Sequence, residues 1–170
     1  LNFDEFGQFV SDPAPWLDLI SERSMLHQRL SALEPPFIID GSIPPIDEWR
    51  SADSAADALP AGTEIRGLAG CPGVARGRAV VVLDAGEPKD LGPGDVLVAP
   101  ITDPAWTPLF LAAEAVVVDV GATMSHAVIV SRELGIPCVV SATGATRSIP
   151  DGATIEVDGD TGRVTVLELP

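Results

Sequence analysis

Between residues 14 and 33, "APWLDLISERSMLHQRLSAL", apolar side chains stand at Trp16, Leu19, Ile20, Met25, Leu26, Leu30 and Leu33. Spacings close to three and four line them up on one stripe, which predicts an amphipathic helix over 14–33, open to a break near Glu22. Residues 34–64 lose any period and scatter Pro, Gly, Ser and Asp through the chain, the texture of a linker.

From Ile65 the pattern changes to short Val-rich runs bounded by Gly, Pro and Asp. The stretches at 77–84, 95–100, 114–120, 136–142, 153–159 and 162–169 read as strands. "VVVD" and "CVV" show little alternation, as strands buried on both faces do, whereas "TIEVDGDTGRVTVLEL" alternates and predicts an antiparallel hairpin around Asp158–Gly162.

Two helices interrupt these strands. In "TDPAWTPLFLAAE", Asp103 suits an N-cap, with Pro104 at the first helical position and the helix running to about Ala113. In "SHAVIVSREL", Gly135 lies just past the helix end and Pro137 blocks continuation, which puts His126 in the first turn. A mixed α/β domain follows, a sheet with two or more covering helices, and no internal repeat is visible.

Composition narrows the reading. The 170 residues, 46% of them hydrophobic, suffice for one domain with a packed core plus an extension. No window reaches the ~18 apolar residues of a membrane span, and the N-terminus is acidic where a signal peptide is basic, so a soluble, cytoplasmic chain is expected. Leu1 in place of Met suggests processing or a piece of a longer polypeptide. A net charge of −15, with Lys89 the one lysine, argues against a nucleic-acid or anionic-membrane partner. Cys71 and Cys138 lack CxxC or paired Cys/His spacing, so neither a zinc site nor a disulfide framework is supported.

The chemistry-bearing residue is His126. A helix's first turn has unpaired N–H groups and the positive end of the macrodipole, so an anion attached to the ring would be stabilised there by roughly 0.3–1 kcal/mol. A neutral imidazole has a lone pair with which to attack. Gly121 and Ala122 let the chain turn sharply after a buried strand and leave His126 on the rim of the sheet. Thr123 and Ser125 can cap the helix or donate to a phosphoryl oxygen. Taken alone, a histidine at a helix start more often packs or caps.

Other residues have plainer roles. Arg132 and Glu133 lie almost two turns beyond His126 and suit solvated or mutually paired positions. Ser125 beside His126 does not make a hydrolase pair, since adjacent helical residues diverge by about 100° and no GxSxG elbow exists. His27 reads as a surface or packing residue, Cys138 as a core thiol, Cys71 as a turn residue open to solvent, and Trp106 as a packing aromatic. Asp84, Asp119, Asp158 and Asp160 read as turn or strand-end carboxylates.

"GATMSHAVIVSRELGIPCVV" (121–140) closely resembles the active motif of the phosphohistidine, or swivelling, domain of the phosphoenolpyruvate-utilising enzymes. "LAGCPGVARGRAVVV" (68–82), "LGPGDVLVAPITDPAWTPLF" (91–110) and "IPDGATIEVDGDTGRVTVL" (149–167) resemble the family's other blocks in the expected order. The "TDPAWTPLF" block is more similar to the phosphoenolpyruvate synthase and rifampin phosphotransferase branches than to enzyme I of the sugar phosphotransferase system.

The resemblance implies a three-layer β/β/α swivelling domain over 65–170, with 1–33 a helical extension and 34–64 the linker. It implies a phosphoryl carrier in which His126 is the catalytic nucleophile, Ser125, Thr123 and Gly121 stabilise the phosphoryl group, and Arg132 and Glu133 support it. It also implies partner domains: an ATP-grasp nucleotide domain, where ATP (or phosphoenolpyruvate) and Mg²⁺ would bind, and an acceptor domain that is a phosphoenolpyruvate/pyruvate barrel or an antibiotic-binding domain. No cofactor or metal is expected on this domain, and with no Walker motif the chain alone should not turn over ATP.

The pattern departs from the family at Ala122 and Met124, at Ser131-Arg132-Glu133, where "ARE" is common, and at Cys71, where Ser is common. Two rival readings stand beside the carrier: a non-catalytic binding or regulatory module on the same fold, and a chain whose acidic N-terminal helix is the docking or oligomerisation device.

Overall fold

The computed structural model describes residues 2–35, 41–51, 58–86 and 89–170. Two compact units divide it, Leu1–Ala55 and Ala56–Pro170.

The first unit opens with a helix that the apolar pattern of 14–33 did not announce, α1 (Phe3–Ser11). Asn2 and Glu5 close a capping box, each side chain accepting the other's backbone N–H at 2.9 Å. A 3₁₀ turn at Ala14–Trp16 leads into α2 (Leu17–Ser31), which runs through Glu22 without a break. Arg23 forks onto both Glu5 carboxylate oxygens at 2.5 and 2.9 Å, tying α2 to α1. Neither helix has a fully buried side chain.

The stretch read as a linker carries some order. Two-residue strands β1 (Leu33–Glu34) and β2 (Arg50–Ser51) pair antiparallel, and a 3₁₀ turn spans Ile46–Glu48. Residues 36–40 and 52–57 of that stretch lie outside the described residues. Within the stretch read as a linker, Leu59 and Gly62 donate backbone bonds to Ser148 O (2.9 Å) and Val166 O (2.7 Å) of the second unit.

The second unit is built on eight strands: β3 (Glu64–Arg66), β4 (Leu68–Cys71), β5 (Val74–Val81), β6 (Asp95–Ala99), β7 (Ala115–Val118), β8 (Cys138–Val140), β9 (Thr154–Asp158) and β10 (Arg163–Glu168). Their order across the sheet is β3-β10-β9-β5-β6-β7-β8-β4. The central strands β5 to β8 are parallel neighbours, while β9, β10 and β3 on one side and β4 on the other are antiparallel. The predicted hairpin is β9–β10, in register with Val157 opposite Val164.

Burial explains the layers. On β7 every side chain is buried, and alternate residues enter different cores. Ala115 and Val117 share one core with Ile155, Val157, Val164 and Val166, so the β9–β10 end folds over the parallel strands. Val116 and Val118 meet Trp106, Phe110, Ala127 and Val128 from the helices on the other face. This is the β/β/α layering that the motif likeness implied, and the absence of polar alternation in "AVVV" follows from cover on both sides.

Helices α3 (Thr107–Ala112) and α4 (His126–Leu134) form the outer layer, and the short α5 (Ala145–Ser148) contributes Ala145 to the inner core. Asp103 caps as expected, accepting from Ala105 N at 2.8 Å, but the first turn after it, Pro104–Trp106, is 3₁₀. Gly135 adopts φ 71° and ends α4 in the left-handed conformation that glycine takes without strain.

Candidate functional site

The site forms where the parallel strands end. Beyond β7, Asp119 N and Val120 N still donate to Ala99 O (3.0 Å) and Pro100 O (2.9 Å), so the exits of β6 and β7 leave side by side. The chain then turns at Gly121, Ser125 N bonds back to Ala122 O at 2.9 Å, and α4 begins at His126. Ala127, Val128 and Ser131 face inward, which aims the start of the helix at the sheet edge. Loops at the carboxyl ends of parallel strands are where such folds collect functional side chains.

His126 is half-buried and held from two sides. Its Nδ1 lies 3.2 Å from Thr102 Oγ1, on the loop after β6, and its ring meets the edge of Phe110 from α3 at a centroid distance of 5.8 Å and 84°. The hydroxyl fixes the ring about one axis and the aromatic contact about the other. If Nδ1 carries the proton and donates to Thr102, Nε2 keeps a free lone pair. In the other tautomer Thr102 donates to Nδ1, and no ring nitrogen is left with one.

The remaining residues of the motif separate by burial. Ser125 takes the N-cap position without capping: its hydroxyl is buried and has no hydrogen-bond partner. Thr123 is exposed, as is Met124 at 77%. Gly121 answers to space, because a Cβ there would lie 3.0 Å from both Ser125 Oγ and Val140 Cβ. Arg132 donates from Nε to Gly70 O at 3.0 Å and fastens α4 to β4, while Glu133 is exposed, so neither approaches the ring directly.

Two further ties hold the loop that leads to His126. Asp119 accepts from Thr146 N (2.9 Å) and Thr146 Oγ1 (2.5 Å). Burial pushes its carboxyl above the ordinary range, and the two bonds from Thr146 oppose that only in part. Ser141 donates its hydroxyl to Gly121 O.

Cys71 is the one correction among the singled-out residues: it is 5% exposed, not an open turn thiol. It stands opposite Cys138 across the β4–β8 pair, with its thiol 3.6 Å from Ser131 O. Burial raises both thiols, Cys138 to about 11, which disfavours the reactive thiolate at each. Trp106 is buried as expected. Asp84 and Asp158 accept backbone N–H groups in turns. Among the described residues no group of three His, Cys, Asp or Glu side chains converges as metal ligands would.

Thr102, Phe110 and Ser141 are the residues that sequence reasoning missed. A polar gap after each parallel strand was the available signal: "ITDP" after β6 has to lie beside "GATM" after β7 once the two strands are neighbours.

Residues 91–162 match the family described as PEP-utilising enzyme, mobile domain. Over 160 residues the chain is 44% identical to an uncharacterised protein of Mycobacterium tuberculosis, covering 92% of this chain and 18% of that one. It is 37% identical over 167 residues to the rifampicin phosphotransferase of Streptomyces sviceus (98% and 18%), and 40% identical over 173 residues to the prodigiosin synthesizing transferase PigC of Serratia marcescens (98% and 19%). The chain therefore spans less than a fifth of the length of these curated relatives. Among the described residues no helix is long and apolar enough to cross a membrane.

Proposed function

We propose, from the match of residues 91–162 to the mobile domain of the PEP-utilising enzyme family and from the phosphotransferases among the chain's relatives, that His126 is a phosphoryl carrier. It takes a phosphoryl group at an ATP-grasp nucleotide site and delivers it at an acceptor site, both on other domains. The observation that supports this reading is the pairing of His126 Nδ1 with Thr102 at the rim of the sheet; with the proton on Nδ1, the Nε2 lone pair is free to act as the nucleophile.

In the first step the Nε2 lone pair attacks a phosphorus of the donor, the N–P bond forms, and the bond from that phosphorus to the leaving oxygen breaks as the rest of the donor departs. In the second an acceptor oxygen attacks phosphorus, the N–P bond breaks, and Nε2 regains its lone pair while the acceptor's proton goes to a base on its own domain. Nδ1 keeps its proton throughout. The ring gains positive charge when Nε2 is phosphorylated, so the Nδ1–H bond to Thr102 strengthens as the reaction proceeds.

The phosphoryl oxygens would lie near the free N–H groups of the first turn of α4, where the helix dipole favours negative charge. Thr123 on the exposed loop and the unpartnered hydroxyl of Ser125 supply further donors. Mg²⁺ would travel with the nucleotide. Swinging between distant sites requires a domain that packs as a unit of its own, as Ala56–Pro170 does.

The test is to mix the chain with an ATP-grasp domain of a relative and Mg-ATP, and to look by intact mass for one phosphoryl adduct that is acid-labile and alkali-stable. The adduct is expected on the wild-type chain and absent from His126→Ala. Failure with a donor that labels its own histidine domain would favour a binding module instead.

A further inference from the structure

Ser141 is the one residue other than glycine, among those described, with φ in the left-handed region, at 53°. L-residues avoid that region because Cβ crowds the backbone, and such strain persists only where surrounding contacts enforce it. Here the enforcing contact is visible: the Ser141 hydroxyl donates to Gly121 O, twenty residues earlier in the chain.

That carbonyl sits at the pivot of the site. Gly121 is the residue at which the exit of β7 turns toward His126, and a Cβ there would press on Ser125 Oγ and Val140 Cβ, each 3.0 Å away. Five residues beyond Ser141, Thr146 binds the Asp119 carboxylate on the other flank of the same turn. The segment after β8 thus grips the loop on both sides of Val120. Relaxing Ser141 into an ordinary conformation would withdraw its hydroxyl and leave Gly121 O without this donor.

We propose that Ser141 is a positioning residue whose strained conformation holds the Gly121–Ser125 loop, and through it the ring of His126, in the geometry for phosphoryl transfer. This rests on the carrier reading above. Ser141 touches neither the ring nor the transferred group, so its effect is on the placement of the nucleophile rather than on its chemistry. Misplacement of a reacting group by a fraction of an ångström to one ångström costs on the order of ten- to a hundredfold in rate.

Three variants test it. Ser141→Gly removes both strain and hydroxyl, Ser141→Ala keeps the strain and loses the hydroxyl, and Ser141→Asn tolerates the left-handed conformation while supplying an amide donor. The rate of His126 labelling from Mg-ATP by a relative's ATP-grasp domain is expected to fall roughly tenfold or more in the Gly and Ala variants and to recover in part in the Asn variant. The thermal midpoint of Ser141→Gly should match or exceed that of the wild type, which separates positioning from fold stability. Labelling by phosphoramidate, which needs only an accessible imidazole and no docked donor, should be little changed.

Wild-type labelling with undiminished rates in both Ser141→Gly and Ser141→Ala would overturn the proposal and leave the carrier reading intact. Were the wild type itself not labelled by a competent donor, the carrier reading would fall. The clamp would then be judged by the ring-nitrogen NMR signals of His126: a shift in Ser141→Gly would support it, and unchanged signals would refute it.

Discussion

Replacing Thr102 by valine isolates one hydrogen bond. Valine keeps the branched shape, so the packing around the half-buried ring survives while the acceptor for Nδ1–H disappears. At 3.2 Å the ground-state bond is at the long end of the range and is worth about 0.5–1 kcal/mol to a neutral ring. As Nε2 takes on phosphorus the ring becomes cationic, and a bond from a charged donor is worth about 1.5–3 kcal/mol. The difference, about 1 kcal/mol or somewhat more, is the part that accelerates the reaction, because interaction shared equally by ground and transition states does not. Converted at 1.36 kcal/mol per decade, it predicts a roughly five- to tenfold slower phosphorylation of His126.

The assay is rapid-quench labelling with the adduct read by intact mass, accompanied by nitrogen NMR of the imidazole. Thr102→Val should slow the transfer with little change in thermal midpoint, and the ring should lose its preference for the tautomer protonated at Nδ1. An unchanged rate together with an unchanged tautomer would refute the argument that Thr102 sets the nucleophilic nitrogen. A slower rate accompanied by a large drop in stability would point instead to lost packing.

Two further predictions concern the fold. A Cβ at Gly159 would come 1.9 Å from the carbonyl oxygen of Cys71, a backbone atom that cannot move without shifting β4, so Gly159→Ala should lose about 2–3 kcal/mol in denaturant unfolding; stability equal to wild type would contradict the close approach. Burial raises the Asp119 carboxyl in the folded state, so its contribution is greatest below the unfolded value of about 3.9 and is lost as pH rises through the folded one. The stability of wild type relative to Asp119→Asn should therefore decline with rising pH across that window, and unfolding curves showing an increase would reverse the assigned sign.

Much of this molecule was legible along the chain. The Val-rich runs give six of the eight main-sheet strands, with ends shifted by a few residues: β6, β7 and β8 as unbroken apolar runs buried on both faces, β9 and β10 by alternation with one face buried. Gly135 and Pro137 stop α4 and place His126 at its start by local stereochemistry alone. The short strands β3 and β4 escaped notice: "EIR" and "LAGC" carry no periodic signal and are held by pairing with β10 and β8. Helix α1 escaped for a different reason, since its signature is a capping box at Asn2 and Glu5 rather than a long stripe.

Cys71 shows how a local reading fails. The residue precedes a proline and looks like a turn, yet it closes β4 directly opposite Cys138, a neighbour 67 residues away in the chain. The tethers of the histidine follow the same logic. Periodicity, capping and chain direction are properties of neighbouring residues, and they were enough to put His126 at a helix start on a sheet's rim. Which hydroxyl meets Nδ1, which carboxylate is buried and which serine is forced into a left-handed conformation depend on strand order. Parallel pairing of β6 with β7 and of β7 with β8 brings Thr102, Gly121 and Ser141 to one edge, and that convergence exists only once the sheet has formed.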